Sequence, residues 1–198
     1  MLAVVGLGNP GPQYVNTRHN VGFAVMQRLA ARWGASFVSD GCASVARAHV
    51  AGHPVALVQP QLLMNLSGPA LARTTLLPGM EGLVVVHDDL DLDCGRIQVK
   101  CGGGAAGHRG VLSIAQVFGA DFPRVRVGIG KPPLGGDVLD FVLDEPDPTD
   151  LAALGMAVAT AADAIECVLR DGEQIAMNVF NARQRRPQAE PMPVTGRI

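Results

Sequence analysis

The 198-residue chain carries 16 lysines and arginines against 18 aspartates and glutamates, a formal net charge of −2, and 48% hydrophobic residues. That length suits one domain able to bury most of its apolar surface. The charge excludes a protein that grips polyanions over its whole surface, so any attraction to RNA must be local, with a shallow salt dependence.

No apolar run approaches the roughly eighteen residues of a membrane span. Met1 to Val5 lacks a basic leader segment and meets a glycine turn at once, so Leu2 to Val5 is expected as a first strand and not a signal peptide. After a proline-interrupted loop, Thr17 is placed to cap a helix through about Trp33, whose Val21, Val25, Leu29 and Trp33 form a core-facing stripe. Val45 to Ala51 and Pro54 to Gln59 read as strands around Gly52-His53, and Ser67 with Pro69 starts a helix through about Leu77.

Leu83 to His87 has the apolar, β-branched character of a central covered strand. Gly95 to Lys100 alternates as a half-exposed strand, Val111 to Phe118 forms a short helix, and Arg124 to Ile129 another strand. Long and short helices follow at Asp150 to Asp171 and Ile175 to Arg183. Interleaved strands and helices indicate an α/β fold: one domain over residues 1–183, a central sheet surrounded by helices, and a loose, proline-rich tail over 184–198. The scattered cysteines Cys42, Cys94, Cys101 and Cys167 lack metal-ligand spacing, so no metal is expected and the thiols suit a reduced, cytoplasmic protein.

Gly6-x-Gly8-x-x-Gly11 after the first strand matches a dinucleotide-binding fingerprint. That motif also requires immediate helix growth and an acidic residue about 20 positions later. Pro10 and Pro12 oppose the first requirement, and the first acidic residue is Asp40. The same loop carries Asn9, whose amide can orient a ligand or simply close an Asx turn, and Tyr14, the only tyrosine, either a ligand contact or a packed ring.

His19 falls at the expected start of a helix, where the positive dipole end disfavours a protonated imidazole and leaves a base able to accept a proton. Asp88 follows the central strand, where functional groups collect in open α/β sheets. It can accept the ring N–H of His19 and fix its tautomer. Asp89, Asp91 and Asp93 have calcium-loop spacing, but Cys94 and Lys100 occupy the required glycine and glutamate positions, so an EF-hand fails. Asp89 and Asp93 are read as a solvated acidic turn. The stretch from Gly102 to Gly110 lets a ligand approach a helix amino terminus, and it lacks the G-K-[ST] ending of a nucleotide-triphosphate loop.

Together, Val5-Gly6-Leu7-Gly8-Asn9-Pro10-Gly11-x-x-Tyr14, Thr17-Arg18-His19-Asn20-x-Gly22, Met64-Asn65-Leu66-Ser67-Gly68 and His87-Asp88-Asp89-Leu90-Asp91 resemble the bacterial peptidyl-tRNA hydrolase family. The Gly102 to Gly110 stretch and Arg124-x-Arg126-x-Gly128-Ile129-Gly130 continue the match, in the family's order. The resemblance implies a mixed sheet wrapped by helices and hydrolysis of the ester joining a peptide to the 3′ end of tRNA. The enzyme would be a cofactor-free cytoplasmic monomer that engages neither DNA nor membrane. It implies His19 as general base, Asp88 as its orienting partner and Asn9 positioning the ester or water. Tyr14, Met64, Asn65, His108 and Arg109 would bind substrate, and Lys100 and Arg126 would clamp a tRNA phosphate. Where the family commonly has asparagine after Gly107-His108, this chain has Arg109. A guanidinium only donates, so its expected role is donation to a substrate carbonyl or phosphate. The rival reading is a non-catalytic RNA-binding relative of the same fold.

Overall fold

The structure, a computed structural model, describes residues 1–182. The end of the last expected helix at Arg183 and the expected tail over 184–198 lie outside the described residues. Strands β1 (Leu2–Gly6), β2 (Val38–Asp40), β3 (Ala43–Val50), β4 (His53–Pro60), β5 (Gly82–Asp89), β6 (Ile97–Cys101) and β7 (Pro123–Gly128) form one mixed sheet, ordered β2-β3-β4-β1-β5-β7-β6. Strands β4, β1, β5 and β7 run parallel, while β2, β3 and β6 join by antiparallel pairing. Around the sheet lie α1 (Val21–Trp33), α2 (Ser67–Ala72), α3 (Arg109–Phe118), α4 (Val138–Leu143), α5 (Pro148–Asp171) and α6 (Glu173–Ala182).

Alternation along the central strands divides the core in two. Val4, Val84, Val86, Val125 and Val127 pack with Val25 and Leu29 of α1 and Ala161 and Ile165 of α5. Ala3, Val5 and Val85 face the other way, against Leu71 of α2 and Val111 and Ile114 of α3. By length and composition α5 is long and apolar enough to cross a membrane, contrary to the sequence expectation. In this fold its apolar face covers the sheet.

Several boundaries differ from expectation for local reasons. Thr17 does not cap α1; its hydroxyl donates to Tyr14 O, and a 3-10 turn over Arg18–Asn20 precedes the helix. Helix α2 stops early because buried Asp40 accepts from the backbone N–H and hydroxyl of Thr75, turning the chain away. The short elements β2 and α4 were absent from the sequence reading; α4 is capped by Asp137, which accepts from the N–H groups of Leu139 and Asp140.

Helix α1 sits unusually close to the sheet. A Cβ on Gly22 would stand 2.6 Å from Leu7 N and 2.8 Å from Val86 O, distances at which backbone would have to move. This close approach carries the turn before α1 to the carboxyl ends of β1 and β5. At the far edge, the Asn181 side chain of α6 accepts from Val99 N–H at 2.8 Å and donates to Val99 O at 2.9 Å, pairing with edge strand β6 as a neighbouring strand would.

Candidate active site

His19 Nδ1 lies 2.9 Å from both carboxylate oxygens of Asp88, at the end of β5. Asp88 is buried, and its Oδ1 also lies 2.9 Å from His108 Nε2. His108 caps α3, its Nδ1 accepting from the N–H groups of Gly110 and Val111. A nitrogen that accepts carries no proton, so neutral His108 holds its proton on Nε2 and donates it to Asp88. The carboxylate in turn holds the proton of His19 on Nδ1, leaving the Nε2 lone pair of His19 as the available base.

Burial pushes the Asp88 carboxyl up, but the His108 and His19 rings beside it outweigh that effect and hold it well below the usual carboxylate range. Next to it, His87 is buried, with Nδ1 2.7 Å from Asp88 O. Burial, then neighbouring His108, pushes His87 down to about 3, so the ring is neutral near pH 7. His19, Asp88 and His108 could by proximity hold a metal ion. The hydrogen bonds of His108 oppose it: a metal on Nε2 would displace the proton to Nδ1, against two N–H donors.

A cleft of about 490 Å³ opens over this cluster, lined by His19, Asp88, His108 and Arg109, with Ala105 to Gly107 on one wall and Val138, Leu139 and Val142 on the other. Arg109, at the start of α3, is exposed in it. Tyr14, Met64, Asn65, Lys100 and Arg126 are not among the cleft-lining residues. Asn9 lines a separate depression of about 460 Å³. It is tied to the His19 turn: Asn9 N donates to Asn20 Oδ1 and Asn20 Nδ2 donates to Asn9 O, at 2.8 and 2.9 Å. Asn9 Oδ1 also accepts from Met64 N–H at 2.8 Å, which uses its acceptor and leaves the Nδ2 donor for a ligand. Met64 is buried with its sulfur against Gly110, Asn65 is exposed, and Tyr14 is half-buried with a turn at its backbone.

Lys100 and Arg126 share one face of β6 and β7 with Gln98 and Arg124, since Gln98 pairs with Arg126 and Lys100 with Arg124. Asp89 corrects the sequence reading. It is buried, not a solvated turn residue, and pairs with Arg126 Nε at 2.6 Å. Burial raises its carboxyl, but the Arg126 bond and the Asp91 N–H outweigh that and lower it. Arg126 also donates to Gln98 Oε1.

Sequence reasoning missed three organising side chains. His108 was expected as a substrate contact, and its further role in capping α3 and holding Asp88 was not foreseen, although its place directly before a helix was a cap signal. Arg18 is buried beneath α4: it donates to Phe141 O, Asp144 O and Glu145 O, stacks 4.3 Å from the Phe141 ring centroid and pairs with Asp150 at 3.2 Å. Arg124 is buried beneath the glycine-rich wall. No local pattern marks either arginine as interior, because their partners are backbone carbonyls distant in sequence.

Fold and site define an α/β enzyme with one mixed sheet and a histidine–carboxylate pair at the carboxyl ends of its parallel strands. Residues 3–188 match the family model described as Peptidyl-tRNA hydrolase. The chain is 46% identical over 179 residues to the peptidyl-tRNA hydrolase of Rubrobacter xylanophilus, covering 90% of this chain and 99% of that protein. With that of Mycolicibacterium vanbaalenii it shares 44% over 188 residues, 91% and 97% of the two chains. A crystal structure of the Acinetobacter baumannii peptidyl-tRNA hydrolase superposes with a TM-score of 0.85 at 32% identity, covering 92% of this chain and 95% of that one. The chain belongs to the peptidyl-tRNA hydrolase family.

Proposed function

We propose that this chain hydrolyses the ester between a peptide and the 3′ ribose oxygen of tRNA, releasing both for reuse. Family membership supports the substrate, and the single observation that carries the mechanism is the His19–Asp88 contact at 2.9 Å. His19 Nε2 takes a proton from water as the oxygen attacks the ester carbonyl. The tetrahedral intermediate then collapses, the bond to the ribose oxygen breaks, and that oxygen receives the proton. Asp88 orients His19 and balances its transient charge. A positioned base contributes about 10²–10⁴-fold in rate.

Asn9 positions ester or water through its remaining donor, while Tyr14, Met64, Asn65 and His108 bind the peptidyl end. Arg109 donates to a carbonyl or phosphate of the substrate; an Arg109→Ala variant with unchanged kcat/KM would remove that role. Lys100 and Arg126 receive a tRNA phosphate, Arg126 from the Asp89 and Gln98 bonds that fix its guanidinium. The enzyme works without a cofactor, as a single copy in the cytoplasm, and engages neither DNA nor membrane. Release of labelled peptide from peptidyl-tRNA tests the reading: wild type is active and His19→Ala slower by at least about 10²-fold. Equal rates would remove the base assignment, and an inactive wild type would favour a non-catalytic RNA-binding role.

A further inference from the structure

Between β6 and α3 the chain runs from Lys100, at the proposed phosphate site, to His108, in the cluster around Asp88. This connection, residues 102–107, is mostly glycine, and its second half, Ala105 to Gly107, makes one wall of the cleft. Gly102 and Gly103 have φ of +62° and +84°, left-handed backbone that glycine adopts without strain. Such a segment loses much conformational freedom when it is ordered, so something must hold it.

What holds it is Arg124. Its Nη1 donates to Gly104 O at 2.9 Å, and its Nη2 donates to Gly103 O at 2.8 Å and to Gly102 O. The side chain is 2% exposed, and among the described residues no carboxylate pairs with it. The Lys100 ammonium lies on the same segment, 3.0 Å from where a Cβ of Gly103 would stand. The guanidinium also lies 5.7 Å from the Phe122 ring centroid. A cation buried without a carboxylate is costly, and three successive carbonyls turned onto one guanidinium is a geometry that a flat, five-donor group matches and an ammonium does not.

We infer that Arg124 is a positioning residue for catalysis: by fixing residues 102–104 it anchors the 105–107 wall that follows them, and through His108 the orientation of Asp88 and His19. It touches no reacting atom. The inference rests on the proposed hydrolysis for its kinetic readout alone.

The test compares wild type, Arg124→Met, Arg124→Lys and Arg126→Met on peptidyl-tRNA bearing a 5′-phosphate or a 5′-hydroxyl. Hydrogen exchange and the His108 ring ¹⁵N signals are followed in parallel. Arg124→Met is expected to lower kcat about 10–100-fold on both substrates, the scale of a small misplacement. KM and the preference for the 5′-phosphate stay near wild type. Exchange quickens in residues 102–108 ahead of the rest of the sheet, the His108 signals shift, and Arg124→Lys recovers part of kcat.

Loss of the 5′-phosphate preference with kcat intact, the pattern expected of Arg126→Met, would make Arg124 a phosphate ligand and overturn the inference. So would exchange that quickens uniformly with His108 signals unchanged, which marks a general structural role. If Arg124→Met does not fold, Arg124→Lys carries the same comparison, and unchanged kcat and exchange there would overturn it. An inactive wild type would defeat the proposed function instead, leaving exchange and His108 signals to decide the positioning role.

Discussion

Replacing Asp88 by asparagine removes one charge and turns one oxygen into a donor, with little change of shape. Asp88 Oδ1 faces both His108 Nε2 and His19 Nδ1, whereas Oδ2 faces His19 Nδ1 alone. The proton of His108 is fixed on Nε2 by the two N–H groups at its Nδ1, so the asparagine oxygen must take the shared position. Its amide nitrogen then stands 2.9 Å from His19 Nδ1, donor facing donor, and the one oxygen left to accept from His19 is already shared with His108. His19 relieves the clash by moving its proton to Nε2, the atom proposed to accept from water. Loss of a correctly protonated base in a triad costs about 10⁴-fold in kcat, or about 5.4 kcal/mol of barrier. Asp88→Asn is therefore expected to lose about 10³–10⁴-fold in single-turnover peptide release, with KM little changed. The ¹⁵N spectrum would show His19 in the Nε2–H tautomer. Activity within tenfold of wild type, or a His19 proton still on Nδ1, would refute the reasoning.

Acid should destabilise the fold through His87. Its folded value of about 3 lies below the ordinary imidazole value near 6.5, so the unfolded chain binds more protons between these limits. The stability contribution is complete above pH 6.5 and shrinks as pH falls towards 3, by about 2 kcal/mol between pH 7 and 5. Denaturation midpoints across that window check it, and His87→Gln should flatten the dependence. Gly22→Ala forces a methyl into the backbone of Leu7, just past β1, and of Val86 in β5, and is expected to cost about 1–3 kcal/mol, read as a lowered Tm. Arg18→Met leaves Phe141 O, Glu145 O and Asp150 without their donor, while Asp144 O keeps the backbone N–H of residue 18; this should cost about 1–3 kcal/mol and speed hydrogen exchange in α4. Wild-type exchange there would mean that Arg18 does not anchor this wall.

Long apolar elements were legible in the sequence because burial leaves a periodic record. The run Leu83 to His87 and the α1 stripe of Val21, Val25 and Leu29 lie in or beside the core as their patterns required. Elements β2 and α4 left only a faint record: Val38, Val138 and Leu139 are exposed and α4 buries Val142 alone, too little to make a periodic pattern. The site divides along the same line. His19 and Asp88 could be paired in advance because strand ends and helix starts converge in α/β sheets. Asp89 was misread because its partner, Arg126, arrives from a strand paired only after folding. The carbonyl partners of Arg18 and Arg124 have no side-chain signature in the sequence.

The Asn181 clasp on Val99 bears on the exposure of the sheet's outer edge. An outer strand with unsatisfied N–H and C=O groups is a template onto which another polypeptide can add, the first step of edge-to-edge aggregation. A single amide on α6, offering one donor and one acceptor, occupies that template midway along its length. Asn181→Ala would reopen the strand to strangers, and its earliest symptom would be turbidity rising with concentration.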